Sequence, residues 1–171
     1  NDENLIDKAK FLSNQAREPV LHYEHKELGF NYRMSNLLAA VGRGQLKNLN
    51  TFVTKRRTIY KIYQEYLSGY DGLDFMDEPD YSFGNRWLTT LIVNKKRTFF
   101  HRNDNIQILS EHNIESRPVW KPMHMQPLYR DCIYVSDKQE DVSAKLFENG
   151  ICLPSGSNLL EEDQLRIINI I

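Results

Sequence analysis

A helical repeat running from Ser35 to Ser68 constrains this 171-residue chain more than any other feature. Leu37, Leu38, Val41, Gln45, Leu49, Phe52, Val53, Ile59, Tyr60, Tyr63 and Leu67 recur at three- and four-residue steps, the period of one helix face. At 1.5 Å rise per residue, a helix of about 34 residues extends roughly 50 Å. Few single domains need that length, so the repeat predicts either a helix linking two bodies or a lone amphipathic helix. Propensity does not see packing partners, and both readings stay open at this level. Gly42 and Gly44 mark where a bend or a close helix contact costs least.

The flanks of the repeat differ in kind. Residues 3–17 read as a short helix with Leu5, Ile6, Ala9, Phe11 and Leu12 on its apolar stripe, and Pro19 breaks the pattern. Residues 18–33 have no sustained period. They crowd Glu18, His22, Tyr23, Glu24, His25, Lys26, Glu27, Asn31 and Arg33 into a polar, aromatic-bearing loop of the kind that carries function.

Beyond Gly69 the chain alternates short strands with helices. Leu73–Met76, Trp87–Val93, Ile114–Val119 and Ile151–Leu153 are strand candidates, rich in β-branched and aromatic residues. Helices are expected over 103–112 and 137–148, the second ending at Gly150 as a C′ residue, with a last one opened by an Asn158-x-x-Glu161 capping box. This grammar predicts a small α+β domain over about 69–171.

Bulk properties exclude several classes. With 22 basic and 23 acidic residues the net charge is −1, so no global field selects nucleic acid or an anionic membrane. No apolar run approaches the ~20 residues needed to span a bilayer. The polar start, Asn1-Asp2-Glu3-Asn4, lacks an initiating Met and any signal peptide, and reads as an interior cut. Cys132 and Cys152 stand in no metal or redox spacing, which predicts thiols with packing roles in a reducing cytoplasm.

The residues with chemical potential cluster in two places. His22-x-x-His25, with Glu24 and Glu27, has the residue types of a metal cluster but not a metal-ligand spacing, and Pro19 opposes the helix that would align the imidazoles. A solvated or substrate-facing loop is the preferred reading, with no metal. His124 closes Arg117-Pro118-Val119-Trp120-Lys121-Pro122-Met123-His124, a proline-stiffened, basic and aromatic stretch. Such a loop can grip a phosphate and stack a base or sugar, or serve only as a connector whose Trp120 covers a core edge. Pro154-Ser155-Gly156-Ser157 is a loose elbow whose serines are expected to shape a turn, and Tyr60, Tyr63 and Tyr66 are at packing spacing.

Residues Gly29-Phe30-Asn31-Tyr32-Arg33-Met34-Ser35 through Ala39-Ala40 resemble the GxNYRM-S-x-x-A-A signature of the DegT/DnrJ/EryC1/StrS family of sugar aminotransferases. Ser116–Pro127 is similar to the family's R-P-x-W-x-P-x-H loop, and Cys152–Ser157 to its L-P-S-G turn. The three motifs fall in order, so the resemblance covers essentially the whole chain. Gln15–Glu18, His22–His25 and Gly42–Leu46 look closest to a subgroup that makes bacillosamine-type 4-amino-6-deoxy sugars for exopolysaccharide or glycan assembly. Leu160 departs from the pattern, standing where members often carry a polar residue.

The resemblance implies an α/β, fold-type-I pyridoxal phosphate enzyme. Residues 1–68 would be the end of its large cofactor domain plus a long connecting helix, and 69–171 its small α+β C-terminal domain. It implies transfer of an amino group, usually from glutamate, to C4 of a UDP-linked 4-keto-6-deoxy sugar, in a cytoplasmic homodimer with a shared active site. The family's Schiff-base lysine matches no lysine of this chain, so no catalytic residue is assigned and the piece alone is expected to be inactive. Asn31 matches the Asn that reaches the cofactor phosphate of the neighbouring subunit. Arg33 matches an Arg that points toward the nucleotide sugar, and His124 falls near its nucleotide end. His22, Tyr23 and His25 are candidates to line the same cleft. Alternatives within the family are a 3-aminotransferase or a dehydratase on a dTDP- or GDP-sugar. Outside it stands a non-catalytic module for nucleotide-sugar binding or dimerisation.

Overall fold

The computed structural model describes residues 2–136 and 140–171. The chain divides into two compact units, Asn1–Asn48 and Leu49–Ile171.

In the first unit α1 spans Glu3–Ser13, capped by Asp2, whose carboxylate accepts the N–H groups of Asn4 and Leu5. The helix expected over 3–17 stops four residues early, and the backbone explains it. Gln15 and Ala16 take φ of 65° and 49°, a left-handed pair that turns the chain back. The reversal lets 29–32 run alongside: Gln15 N–H donates to Phe30 O, Phe30 N–H to Leu12 O, and Tyr32 N–H to Ser13 O. Gly29 is needed where the strands meet, since a Cβ there would lie 2.2 Å from Ala16 N.

The long repeat is realised as two helices, α2 over Asn36–Lys47 and α3 over Leu49–Leu67. The interruption is at Asn48 and not at Gly42 or Gly44, which have open space around them. Asn48 closes α2 by donating from its side chain to Gly44 O at 3.1 Å and from its backbone to Gln45 O at 3.0 Å. A side-chain amide competing for helix carbonyls is a local helix-ending device. Ser35 caps the other end of α2 through Leu38 N–H. The packing of α3 is with the C-terminal segment, so the division falls at 48/49.

The second unit is a four-stranded antiparallel sheet ordered β1-β2-β4-β3, with β1 at Leu73–Phe75, β2 at Thr89–Val93, β3 at Arg117–Pro118 and β4 at Gly150–Leu153. The register pairs Leu73 with Val93, Leu91 with Ile151, and Arg117 with Cys152. β2 alternates: Thr89, Leu91 and Val93 are buried, while Thr90 and Ile92 face a less covered side. On the buried side lie Ile59, Tyr63 and Leu67 of α3, Leu109 of α4 (Arg102–Glu111), and Ile167 and Ile168 of α6 (Glu161–Ile168). α5 spans Val142–Asn149; the first three residues of the helix expected over 137–148 lie outside the described residues.

Three strands are shorter than expected, β1 only by its last residue, Met76. Arg86 takes φ 50°, so the chain enters the sheet only at Thr89 and leaves Trp87 58% exposed. β3 keeps two residues because Asn113 reverses the chain at φ 58° and Pro118 has no N–H to pair. The expected capping box at Asn158 does not form. Leu160 is the N-cap without a side-chain bond, and the acidic first turn Glu161, Glu162 and Asp163 complements the helix dipole instead. Gly150 is extended, not left-handed, and opens β4; a Cβ there would meet Leu146 O at 2.4 Å. Ser155 shapes its turn as expected, accepting Thr89 N–H at 2.8 Å and donating to Leu153 O at 2.7 Å. Cys152 is buried and its thiol pushed up by that burial; Cys132 is exposed, and both are free. Among the described residues no helix is long and apolar enough to cross a membrane.

The segment 76–88 is pinned to α3 through Glu78. Its carboxylate accepts both Arg57 amines, at 2.9 and 2.7 Å, and the Gly84 N–H at 2.5 Å, with Arg86 at 3.8 Å. The Arg57 hydrogen bonds, and then the Gly84 N–H, lower the Glu78 pKa from 4.5 to about 2. A depressed folded-state pKa contributes stability that is present above the unfolded value and is lost as pH falls through the folded one. Thermal unfolding followed from pH 5 to 2 should therefore show the wild type losing stability across that window. A Glu78→Gln variant, already weaker at pH 5, should lose less over the same range; parallel curves would refute the role of this carboxylate.

Candidate functional site

The signature loop forms the first site. Antiparallel bridges join Asn14 to Asn31 and Arg17 to His25, so two stretches distant in sequence share one narrow ribbon. Asn31 lines an open cleft of about 470 Å³ with Asn14, Gln15, Arg17, Glu18, Pro19 and Val20. Arg33 donates to the Asn14 side-chain oxygen at 3.2 Å, which engages one amine of its fork. His25 Nδ1 lies 2.9 Å from Gln15 O, fixing the imidazole to the turn. Tyr23 stacks under the Arg17 guanidinium at 4.1 Å, and His22 Nε2 lies 3.1 Å from Glu24 Oε2. His22 and His25 are thus held by separate partners. Phe30 and Tyr32 stack at 5.2 Å on alternate positions around Asn31.

Electrostatically the loop mixes signs. Lys26 approaches Glu18 at 3.9 Å and Glu24 at 3.5 Å, and Lys8 pairs with Glu27. Exposed pairs of this kind contribute little to stability. Arg17 and Arg33 face no carboxylate among the described residues. An amide (Asn31) beside a guanidinium (Arg17) is a donor set that suits a phosphate ester, and the cleft is open enough to admit one. The residues present thus fit the phosphate end of a cofactor.

His124 belongs to the second unit. It sits in a 3-10 turn, Met123–Met125, that follows Pro122. Its Nε2 lies 2.6 Å from Asp141 Oδ2, and its ring stacks on Tyr134 at 3.8 Å and 14°. Asp141 also caps α5, its Oδ1 accepting Ala144 N–H at 2.9 Å and the Ser143 hydroxyl at 2.7 Å. The Ala144 N–H, then the Ser143 hydroxyl, and further down His124 hold this carboxyl below its ordinary range. In the same unit Trp120 stacks on Trp87 at 6.0 Å, between clefts of about 610 and 630 Å³. Arg117 and Lys121 line the second, where Arg117 is paired with Glu115.

Asn31, Arg33, His22, Tyr23 and His25 therefore share one unit, and His124 stands in the other. The remaining histidines are structural: His101 caps α4 in a box with Asp104, and His112 Nδ1 lies 2.8 Å from Ile108 O. Sequence reasoning missed Asn14, Arg17, Tyr134 and Asp141. Asn14 directly precedes the Gln15–Glu18 segment, so proximity to that segment was an available signal. Asp141 fell inside the helix expected over 137–148, and its partner lies 17 residues away in sequence.

A model of the DegT/DnrJ/EryC1/StrS aminotransferase family matches residues 1–171. EpsN of Bacillus subtilis (strain 168), named provisionally as a pyridoxal phosphate-dependent aminotransferase, is 48% identical over all of this chain and 44% of its own length. GDP-perosamine synthase of Vibrio cholerae is 32% identical over all of this chain and 46% of its own length. Among solved structures, the aminotransferase TlmJ from Streptoalloteichus hindustanus aligns with a TM-score of 0.79 at 21% identity, covering 99% of this chain and 44% of that one. The chain spans less than half the length of each, and its fold is that of these aminotransferases.

Proposed function

The chain belongs to the DegT/DnrJ/EryC1/StrS aminotransferase family, and from that membership we propose that it is part of an enzyme that aminates C4 of a UDP-linked 4-keto-6-deoxy sugar. The amino donor in this reading is glutamate, the cofactor pyridoxal phosphate, and the product a sugar for exopolysaccharide or glycan assembly in the cytoplasm. Residues 1–68 are proposed as the end of the large domain with its connecting helix, and 69–171 as the small domain. The carrying observation is the Asn14–Asn31 ribbon, which holds the signature Asn31 in an open cleft with Arg17.

Each residue has a task its chemistry suits. Asn31 hydrogen-bonds the cofactor phosphate of the neighbouring subunit, adding a donor without altering the charge balance. Arg33 clamps the substrate diphosphate with the amines its Asn14 contact leaves open. His124 meets the nucleotide end, and His22, Tyr23 and His25 line the cleft. When bound, pyridoxal phosphate supplies an electron sink for amino-group transfer. The lysine that holds it is assigned to sequence outside this chain. Met34, Leu37, Leu38 and Val41 are all more than half exposed, which supports a homodimer in which this segment is covered.

The 32% identity with GDP-perosamine synthase favours one second reading, in which the nucleotide is GDP. One experiment addresses both. The full-length protein, loaded with pyridoxal phosphate, is given glutamate and either the UDP- or the GDP-linked 4-keto-6-deoxy sugar. Formation of a 4-amino sugar with 2-oxoglutarate is expected from the UDP substrate, and turnover of the GDP substrate alone would transfer the assignment to the second reading. No amination of either would overturn both. In the same preparation an Asn31→Ala variant should lose cofactor absorbance on dialysis, and full retention would remove Asn31 from the phosphate site.

A further inference from the structure

Outside the signature loop, one half-buried pair brings an imidazole and a carboxylate together. His124 and Asp141 approach at 2.6 Å with side chains only 20% and 29% exposed. Three restraints converge on this imidazole: the carboxylate at Nε2, the Tyr134 ring stacked on one face, and the Pro122 turn that carries it. Both carboxylate oxygens are committed, Oδ1 to the start of α5 and Oδ2 to the imidazole. The helix cap therefore doubles as a fixed post against which the ring is oriented.

The hydrogen-bond roles follow from chemistry. An ionised carboxylate is acceptor-only, so Nε2 must carry the proton it shares with Asp141. In the neutral ring that leaves Nδ1 as an acceptor, and among the described residues Nδ1 has no partner. We propose that Asp141 is a positioning residue for His124, holding the Nε2–H tautomer so that Nδ1 is presented to a hydroxyl of the nucleotide sugar. This deepens the substrate role given to His124 and rests on that reading. A ring free to flip would divide its population between orientations, and the fraction in the competent one scales the apparent affinity. Fixing the ring should thus act on substrate binding more than on the chemical step.

Serine separates this role from capping, because it caps helices about as well as aspartate but is too short to reach the imidazole. In the full-length enzyme Asp141→Ser should leave the melting temperature within a few degrees of wild type. Its KM for the nucleotide sugar should rise about 5- to 20-fold with kcat within about twofold. His124→Ala should give a similar rise, and the double variant no further one, since the two changes remove one coupled interaction. Asp141→Asn keeps the cap with its single acceptor oxygen, so its amide N–H group faces Nε2, selects the Nδ1–H tautomer and should lose affinity about as much as His124→Ala. Side-chain ¹⁵N NMR of selectively labelled histidine, recorded without substrate, should show His124 as the Nε2–H tautomer in wild type and a tautomer mixture in Asp141→Ser.

An unchanged KM in Asp141→Ser, or an Nδ1–H tautomer in wild type, would overturn the proposal. Should Asp141→Ser fold poorly, the NMR spectrum of wild type and the KM of Asp141→Asn decide it, a wild-type KM in Asp141→Asn counting against. If wild type aminates no nucleotide sugar, the proposed function fails, while the tautomer measurement still judges the role of Asp141.

Discussion

Cutting Tyr63 back to alanine is expected to lower the unfolding free energy of this chain by about 3–5 kcal/mol, the range for removing a large buried aromatic. Tyr63 has no exposed surface and lies among Leu67, Leu91, Val93 and Leu153 at the centre of the second unit. Its hydroxyl donates to Pro154 O at 3.1 Å, tying α3 to the turn after β4. Burial also pushes the phenol well above its ordinary range, so it remains a neutral donor at any working pH. Alanine would open a cavity the size of the ring and strand the Pro154 carbonyl. Tyr63→Phe isolates the second effect and should cost about 1 kcal/mol, the net worth of one neutral hydrogen bond. Against a domain stability of roughly 5–15 kcal/mol, the alanine variant should approach the unfolding threshold. Urea denaturation followed by circular dichroism measures both. Equal midpoints for the two variants would mean that the ring, despite its burial, does not hold the unit together.

That centre was legible in the sequence because Ile59, Tyr63 and Leu67 keep a helical period and Leu91 and Val93 keep a strand period. Periodicity reports which face is buried and needs no knowledge of partners. The places where reading failed are those where a partner decides the backbone. Gln15 and Ala16 carry no left-handed signal; they turn because Phe30 and Tyr32 return to pair with the chain before them. Asn48 interrupts the long repeat through a side-chain bond to Gly44 O, whereas the two glycines, the better helix breakers by propensity, lie in unbroken helix. Asn158 satisfies a capping pattern in sequence, yet the helix opens two residues later at Leu160.

The candidate site divides in the same way. Asn31 and Arg33 were found through a motif of consecutive residues, and Gly29 shows why that motif is local. The close approach of the returning chain to Ala16 leaves no room for a side chain there. What the motif did not contain was its own support: Asn14 under Arg33, Arg17 over Tyr23, and Asp141 against His124. Those partners come from the far side of a turn or from another element, and single-sequence spacing carries no record of them.

Replacing Arg33 by alanine in the full-length protein should weaken binding of the UDP-linked sugar by about 1.5–3 kcal/mol, the range for losing a hydrogen bond to a charged group. At about 1.4 kcal/mol per tenfold, that is roughly a 10- to 150-fold rise in Kd. The magnitude depends on the fork. One amine is occupied by Asn14 at 3.2 Å, which holds the guanidinium in place while leaving other donors for a diphosphate. Arg33→Lys keeps the charge but not the fork, and should recover only part of the affinity. Asn14→Ala removes the brace and leaves the charge, so its effect should fall between wild type and Arg33→Ala. Raising salt should weaken the wild type more than Arg33→Ala, because an exposed ionic bond between guanidinium and diphosphate is screened by salt and the alanine variant has none to screen. Titration calorimetry with UDP alone and with the UDP-sugar then locates the interaction. Equal weakening for both ligands assigns Arg33 to the diphosphate, weakening confined to the UDP-sugar would move it to the hexose, and an unchanged Kd for both would remove it from the substrate site.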